Sequence, residues 1–477
     1  MPVSLKQKTV SGIIWSGIER FSVQGVQFLI QIIMARLLMP EDYGVIGMLA
    51  IFLAIAQSFI DSGFSNALIQ KHDCSDIDYS TVFWFNIIIG VIFYLLLFFI
   101  SPWIAIFYNT PILEILTKII GLILVVNSLT VVQRAQFTIR VDFKTQAKAS
   151  FTAVIISGLI GIAMAYYSFG IWALVWQTLI YGGINMILLW YLSQWKPMLK
   201  FSTKSFRSLF TYGSKLLLAG LLETIYRNIY TIVIGKKFAA IELGYFTRAD
   251  QFASFPSSNL SGIIGRVTFP ILSSIKQEND RLRDVYRKYL RLSAFIIFPL
   301  MTGLAALSSP FIKLVLTDKW DGAIILLQIL CFSYMWYPVH VINLNLLEVK
   351  GRSDLFLRLE VIKKVIGVII LIITIPMGIE VMCWGIFVSS LFSLVINTYY
   401  TGRLLQLGFI KQLYDLLPIL LYALIMALIV YVVTFLFNSN SCKLLIGIVT
   451  GVLSYYGISS LTHSKELQEL FSLFKNQ

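Results

Sequence analysis

The chain has 477 residues, of which 58% are hydrophobic and only 13% are charged, and its mean hydropathy is +0.81. Soluble proteins average about 45–50% apolar and about 25% charged residues. This composition therefore excludes a soluble enzyme, a disordered protein and a secreted disulfide scaffold, and it indicates a polytopic membrane protein. The formal net charge of +14 is typical of Lys- and Arg-rich cytoplasmic loops rather than of nucleic-acid binding.

Apolar runs separated by charged residues, Gly and Pro predict about fourteen transmembrane helices of about 20 residues each. The run from Val10 to Leu38 carries charges and is too long for a signal peptide, so we expect it to remain as the first helix. The spans leave only short loops, which predicts an all-α membrane protein. The predicted spans are 10–38, 44–64, 80–101, 112–133, 150–168, 171–193, 208–234, 246–275, 289–310, 322–347, 360–376, 380–402, 416–437 and 442–461.

Basic residues distinguish the two ends of the predicted bundle. Counted loop by loop, about 26 Lys and Arg residues fall on the side of the chain termini and about 8 on the opposite side. Cytoplasmic loops of membrane proteins are enriched in Lys and Arg. Both termini are therefore expected in the cytoplasm, which requires an even number of spans.

The chain shows traces of an internal duplication. The matching elements are Arg140-Val141-Asp142 with Arg352-Ser353-Asp354, Gly170-Ile171 with Gly378-Ile379, and Arg36 and Gly44 with Lys236 and Gly244. Two six-helix lobes related by a pseudo-two-fold repeat are typical of transporters that bind substrate between their repeats. We predict an N-lobe over residues 1–200, a C-lobe over 201–405, and a C-terminal helix pair with a cytoplasmic tail over 406–477.

Polar side chains form a stripe along the first predicted helix. An ionisable group inside a membrane costs about 2.5–3.5 kcal/mol on insertion scales and is a functional candidate by default. Spacings of 4, 4, 3 and 4 residues place the stripe on one helix face. It is expected either to line a water-filled cavity or to form hydrogen bonds between helices. The stripe consists of Ser16, Arg20, Gln24, Gln27 and Gln31, with Glu19 beside it.

The seventh and eighth spans carry further membrane-embedded charges. In the seventh, Lys215 precedes Glu223 and Arg227, which are four residues apart and are therefore either an ion pair or cavity groups. In the eighth, Asn259 and Arg266 are seven residues apart and share a helix face, and no acidic residue lies near Arg266. The candidate groups for coupling transport to an ion gradient are Glu19, Glu223 and Asp250.

No motif for catalysis, metal binding or nucleotide binding stands out. The four cysteines and three histidines are far apart and fit no metal-ligand spacing, and the chain has no Gly-rich phosphate-binding loop. We therefore expect no cofactor, no metal and no nucleic-acid partner, and a transporter rather than an enzyme.

A series of motifs near the start of the chain is specific enough to indicate a family. The motifs are Trp15-Ser16, Arg20, Gln27, Ala35-Arg36-Leu37-Leu38, Pro40-Glu41-Asp42-Tyr43-Gly44, Phe59-Ile60-Asp61-Ser62-Gly63-Phe64-Ser65 and Ala67-Leu68-Ile69-Gln70. They cover about 60 residues. In these positions the chain resembles Wzx-type polysaccharide flippases, which form the polysaccharide transporter family of the multidrug/oligosaccharidyl-lipid/polysaccharide (MOP) superfamily.

This resemblance implies a MATE-like, alternating-access transporter of the bacterial cytoplasmic membrane. Its substrate would be undecaprenyl-pyrophosphate-linked oligosaccharide for O-antigen, capsule or exopolysaccharide synthesis. Its partners would be that lipid, the surrounding membrane lipid, and the polymerase and glycosyltransferases of the same pathway. Arginines in the first and eighth helices of related flippases line the cavity, which implies this role for Arg20 and Arg266. A guanidinium suits a pyrophosphate, since it stays charged and binds phosphate bidentately.

Three other functions are weighed against this one. A MATE-like exporter of small cationic molecules would have an acidic cavity, whereas the best candidates here are Arg20, Lys215 and Arg266. A membrane glycosyltransferase or polymerase would need catalytic carboxylates in a sizeable outer loop, and every predicted outer loop is short. A non-transporting assembly scaffold would not need polar stripes inside the membrane.

Overall fold

The computed structural model describes residues 23–61, 63–71 and 73–475, and these ranges contain helices and turns but no β-strand. Two short 3₁₀ helices cover Asp318–Trp320 and Ile375–Met377. The α-helices are α1 (Val23–Leu37), α2 (Pro40–Asp61), α3 (Phe64–Gln70), α4 (Asp76–Tyr108), α5 (Ile112–Ile120), α6 (Leu122–Ser128), α7 (Val131–Ile139), α8 (Phe143–Tyr166), α9 (Ile171–Ser193), α10 (Thr203–Lys237), α11 (Ala240–Ser274), α12 (Asn279–Ala306), α13 (Ser308–Val315), α14 (Ala323–Tyr334), α15 (Tyr337–Val349), α16 (Ser353–Thr374), α17 (Ile379–Leu405), α18 (Phe409–Thr434), α19 (Asn440–Leu461) and α20 (Lys465–Lys475).

The predicted fold class, an all-α polytopic membrane protein, is confirmed. Within the described residues, a continuous or interrupted helix lies at each predicted span, and ten helical segments are long and apolar enough to cross a membrane. Residues 10–22 of the first predicted span lie outside what the structure describes. Large apolar side chains also point outward: in α4, Phe99, Trp103 and Ile106 are 66%, 65% and 69% exposed. A helix that satisfies its own backbone hydrogen bonds can place such side chains against lipid.

The helices separate into two compact units, Met1–Gly244 and Tyr245–Gln477. The boundary expected from the repeat, after residue 200, lies before α10, whereas the structural division falls near the start of α11. In the structure, α10 packs along α2 and also contacts α3 and α4, and the hydroxyls of Ser58 and Thr224 are 3.1 Å apart. The lobe boundary at residue 200 therefore stays a prediction about the duplication.

An aromatic and aliphatic core holds the first unit together. Phe64 and Phe83 are at most 3% exposed and pack with Leu68 and Val132. The segment after α9 is fastened to α4 by hydrogen bonds: the Met198 amide donates to Ser80 Oγ at 2.9 Å, and Trp84 Nε1 donates to the Met198 carbonyl at 2.8 Å. The connection that follows α9 is therefore part of this core.

In the second unit, a buried polar network joins α15, α17 and α18. The side-chain amides of Asn343 and Gln412 exchange two hydrogen bonds of 3.0 and 3.1 Å, and Thr401 Oγ1 donates to Asn343 Oδ1 at 2.7 Å. These side chains are at most 1% exposed. Buried polar groups that satisfy one another select one helix arrangement, because a shifted helix would leave them unpaired.

The predicted duplication recurs in the backbone of two turns. After α7, the amides of Arg140, Val141 and Asp142 donate to the carbonyls of Gln136, Thr138 and Phe137; after α15, the amides of Lys350, Gly351 and Arg352 donate to Leu346, Glu348 and Leu347. Each donor of the second turn lies 210 residues after its counterpart. The Arg-x-Asp motifs at Arg140 and Arg352 lie two residues further apart than the two turns do. The two motifs therefore match in residue type but not in their position within the turn.

The two turns differ in the residue that occupies the position with positive φ. The left-handed position is Val141 in the first turn, with φ 56°, and Gly351 in the second, with φ 69°. Arg352 then pairs with Asp354 through two hydrogen bonds of 2.9 Å. This pairing lowers the pKa of the exposed Asp354 carboxyl to about 2.

Candidate functional site

A cavity of about 570 Å³ lies between α11 and α15 in the second unit. One wall is the face of α11 between Ser258 and Pro270, which includes Arg266. The opposite wall consists of Tyr337, Val341, Asn345 and Glu348 of α15, whose spacings of four, four and three residues place them on one helix face. The volume is in the usual range of small-molecule sites, roughly 300–1,000 Å³.

Prolines and a helix break shape the two walls. α11 contains Pro256 and Pro270, which remove backbone donors and bend helices, and the cavity-lining segment lies between them. α15 begins after the break between α14 and α15, with Pro338 in its first turn. Ser257 Oγ donates to the Tyr334 carbonyl at 2.6 Å and so fastens α11 to the end of α14.

Glycines on α11 leave the cavity its space. A β-carbon placed on Gly262 would have no atom within 4 Å, and one placed on Gly265 would lie 3.5 Å from Asn345 Nδ2. The two glycines therefore leave space on this wall of the cavity that a larger side chain would fill.

Arg266 and Glu348 give the cavity one charge of each sign. Both side chains are exposed and both line the cavity. Within the described residues they form no ion pair with each other, and neither side chain has another ion pair or hydrogen bond. The Arg266 guanidinium is therefore available to a phosphate, and the Glu348 carboxylate can accept hydrogen bonds from sugar hydroxyls.

The other candidates in the second unit have protein partners. Asn259 is half-buried and its amide donates to the Phe255 carbonyl of its own helix at 2.8 Å, and it is not among the residues that line the cavity. Asp250 is half-buried and accepts a hydrogen bond of 2.7 Å from the Tyr334 hydroxyl. Of the predicted second-unit residues, Arg266 alone faces this cavity in the described structure.

The candidates of the first unit lie on α1 and α10. On α1, Gln27 is exposed, whereas Gln24 and Gln31 are half-buried. On α10, Glu223 and Arg227 are exposed. Arg227 has no ion pair in the described part of the chain, so the i,i+4 pair that the spacing allowed is not formed. Glu19, Arg20 and the side chain of Lys215 lie outside what the structure describes.

The residues of the α15 wall were not identified from the sequence, among them the polar and aromatic side chains of Tyr337, Asn345 and Glu348. Their spacing of eight and three residues, just before the turn at Gly351, places them on one face of α15 and could have indicated a shared site. This signal is weak by itself, because the same spacing also occurs on helix faces that pack against other helices. The described residues contain no cluster of His, Cys, Asp and Glu that could hold a metal ion.

The fold is that of MOP-superfamily transporters. The structure matches the lipid II flippase MurJ in an inward closed conformation with a TM-score of 0.77 and 17% identity, covering 94% of this chain and 99% of that one. It matches an inward-facing MATE multidrug resistance transporter with a TM-score of 0.60 and 16% identity, covering 86% of this chain and 98% of the other. The predicted MATE-like architecture is confirmed.

The chain belongs to the polysaccharide biosynthesis protein family, whose family model matches residues 33–325. Among its relatives, the teichuronic acid biosynthesis protein TuaB of Bacillus subtilis is 28% identical over 74% of this chain and 73% of TuaB. The lipopolysaccharide biosynthesis protein WzxC of Escherichia coli is 27% identical over 76% of this chain and 74% of WzxC. The resemblance to Wzx-type flippases that the N-terminal motifs indicate is therefore confirmed.

Proposed function

We propose that this protein is a flippase that moves a lipid-linked oligosaccharide across the cytoplasmic membrane by alternating access. The family and the names of its relatives support a role in polysaccharide synthesis, and the fold supports transport by a MOP-type mechanism. The observation that carries the proposal is Arg266, a cation without an ion pair among the described residues, on the wall of a cavity of about 570 Å³.

The chemistry of this cavity suits a pyrophosphate–sugar headgroup. Such a headgroup cannot cross hydrocarbon unaided, whereas a polyprenyl tail can remain in the lipid. Arg266 would bind phosphate oxygens bidentately, and Asn345 and Glu348 would bind sugar hydroxyls. Arg20, Glu19, Lys215 and the glutamines of α1 are further cavity candidates from the sequence.

The finer placement belongs to the same proposal. Both termini lie in the cytoplasm, the N- and C-lobes of the duplication alternate in access, and Glu19, Glu223 and Asp250 are the groups that could couple transport to an ion gradient. The oligosaccharide, made by glycosyltransferases on the cytoplasmic face, is delivered to a polymerase on the other face.

A reconstituted assay tests the proposal. Proteoliposomes containing the protein and a fluorescent undecaprenyl-pyrophosphate oligosaccharide should expose that lipid to an external quencher or glycosidase without added ATP, since the chain has no nucleotide-binding loop. Arg266→Ala should slow translocation. Arg358→Ala is its control, because Arg358 is an exposed arginine of α16 outside the cavity. Translocation that required ATP hydrolysis, or that was equally fast in protein-free liposomes, would contradict the proposal.

A further inference from the structure

A second cavity, of about 330 Å³, lies where α12, the turn after α17 and the start of α18 meet. Its charged and aromatic lining consists of Arg283, Asp284, Arg287, Lys411, Tyr414 and Asp415. It shares no lining residue with the Arg266 cavity, and the proposed transport function uses none of its residues. Three cations against two carboxylates favour an anionic ligand.

The three cations differ in how far they are already neutralised. Nε and Nη2 of Arg287 donate to the two carboxylate oxygens of Asp415 at 2.8 and 2.6 Å, so these two charges cancel. Arg283 Nη2 lies 3.1 Å from Oδ1 of the exposed Asp280, and an ion pair at the surface neutralises the arginine only weakly. Lys411 is exposed and has no ion pair or hydrogen bond within the described chain. Lys411 and Arg283 are thus the groups left for a ligand.

The position of Lys411 on its helix adds to this positive charge. It lies in the first turn of α18, where the helix dipole already places partial positive charge and acidic side chains are favoured. That turn has no acidic residue, and no side chain caps the helix start at Gly408. An anion bound here would relieve the repulsion between the lysine and the helix end.

The turn that carries this helix start is rigid. Gln412 is 1% exposed and donates to the Leu407 carbonyl at 2.9 Å, and the same side chain is held by Asn343. A β-carbon on Gly402 would lie 2.9 Å from the Cα of Gly408. The backbone that carries Lys411 is therefore held in place before any ligand arrives, which lowers the entropic cost of binding.

An apolar stripe begins at the cavity and continues along α18. Ile410, Tyr414, Leu417 and Leu421 are 67%, 73%, 40% and 48% exposed, and their spacings of 4, 3 and 4 residues place them on one face. α18 is one of the helices apolar enough to cross a membrane, and tyrosine is typical of the membrane–water interface. A ligand with an anionic headgroup and hydrocarbon chains fits both features, whereas a free phosphate fits only the first.

We propose that this cavity binds the headgroup of an anionic phospholipid, with Lys411 and Arg283 on its phosphate and its acyl chains along the α18 stripe. The exposed carboxylate of Asp284 opposes the anion and limits the affinity. Arg287 of α12 and Asp415 of α18 pair with each other, hold the two helices together and line the same cavity.

Native mass spectrometry of the full-length protein in detergent tests this assignment with phosphatidylglycerol as the probe. One phosphatidylglycerol should be retained in preference to phosphatidylcholine. Lys411→Gln and Arg283→Gln should each weaken its binding about fivefold, since each basic residue near an anionic lipid contributes about that factor. Asp284→Asn should strengthen binding by a similar factor. Arg358→Gln removes an exposed arginine outside the cavity and is the matched control.

Several results would overturn the lipid assignment. Equal retention of phosphatidylglycerol and phosphatidylcholine would show that the charge of the headgroup does not determine binding. An equal loss of phosphatidylglycerol binding in Arg358→Gln would show that binding depends only on the general surface charge. Displacement of the lipid by millimolar inorganic phosphate would identify a free-anion site instead. Asp284→Asn changes an exposed side chain, so unchanged binding in this variant would count against the site even where a lysine or arginine variant folds poorly.

Discussion

Gly244 lies so close to the backbone of Pro40 that a β-carbon on Gly244 would stand 1.9 Å from the Pro40 carbonyl oxygen. The contact has a mirror image, because a β-carbon on Gly44 would stand 1.7 Å from the carbonyl oxygen of Ala240. Pro40 and Ala240 are the first residues of α2 and α11. The two helix starts thus cross through a reciprocal pair of glycines, which matches the repeat of Gly44 and Gly244 in the sequence.

Adding a methyl group at either glycine should separate the two helix starts. We expect Gly44→Ala and Gly244→Ala each to cost about 1–3 kcal/mol through overpacking, seen as a Tm several degrees lower in detergent. The double variant should cost less than the sum, since both changes strain one contact. Gly457→Ala is the control, because no atom lies within 4 Å of its added β-carbon. Unchanged Tm values in both variants would show that this crossing does not stabilise the folded state.

Arg266→Ala should abolish polysaccharide export while the protein inserts at normal levels. Arg266→Lys should restore export only in part, because lysine keeps the charge but loses the planar fork that binds phosphate bidentately. Complementation of an export-deficient strain, with protein levels measured in the membrane fraction, provides the readout. Arg403→Ala is the control, since this exposed arginine lies over the Tyr399 ring, 4.7 Å from its centroid, and away from the cavity.

A structural role for Arg266 makes a different prediction. If it only neutralised Glu19, export lost in Arg266→Met or Glu19→Gln alone should return in the double variant. Recovery of export in that double variant, or near-normal export by Arg266→Ala, would therefore contradict phosphate binding.

Filling the cavity at Gly262 should block transport without unfolding the protein. A leucine there extends into open space, because a β-carbon at this position meets no atom within 4 Å. We expect Gly262→Leu to lower export at least tenfold with a Tm close to that of the parent, whereas Gly457→Leu on α19, equally open, should leave export intact. Comparable export by the two variants would show that the substrate does not pass through this cavity.

The ion pair of Arg291 with Glu466 should hold the C-terminal helix α20 on α12. The Glu466 side chain is 5% exposed, and a hydrogen bond to a charged group contributes about 1.5–3 kcal/mol. Glu466→Ala should therefore release α20 to limited proteolysis. Lys288 pairs with Glu469 at 3.6 Å with both side chains more than a third exposed, so Lys288→Ala should have an effect below about 1 kcal/mol. Equal protease sensitivity of the two variants would argue against the buried pair as the anchor.

Topology can be measured with single cysteines introduced into intact cells. Cysteines at positions 109, 318 and 439 should be labelled from outside, and cysteines at 200, 283 and 352 only after permeabilisation, because Lys and Arg concentrate on the cytoplasmic side. The exposed Cys442 and the half-buried Cys74 should first be replaced by serine. Labelling of position 200 from outside would reverse the predicted orientation.

Local features of this protein were accessible from the sequence for a physical reason. The polar spacing along a helix and the apolar length of a span depend on residues within a few turns of one another. The helices at the predicted spans and the turns at Gly170 and Gly378 rest on such local patterns. The prediction that Arg266 lies inside the membrane rests on the same kind of pattern and stays a prediction. The same local spacing places Asn259 on the helix face that carries Arg266. In the structure, however, the Asn259 side-chain amide donates to the Phe255 carbonyl and does not line the cavity.

Other features depend on which helix faces meet. Glu348 and Asn345 join the Arg266 cavity only because α15 lies opposite α11. Tyr334 donates to Asp250 only because the end of α14 also lies against α11. Three further features also depend on tertiary packing. They are the contact of α10 with α2, the offset of 210 residues between the two turns, and the shared cavity of Arg283 and Lys411. The sequence by itself determined the class, the helices and the family. The tertiary structure decided the partners, because a helix presents several faces and only packing selects which of them face each other.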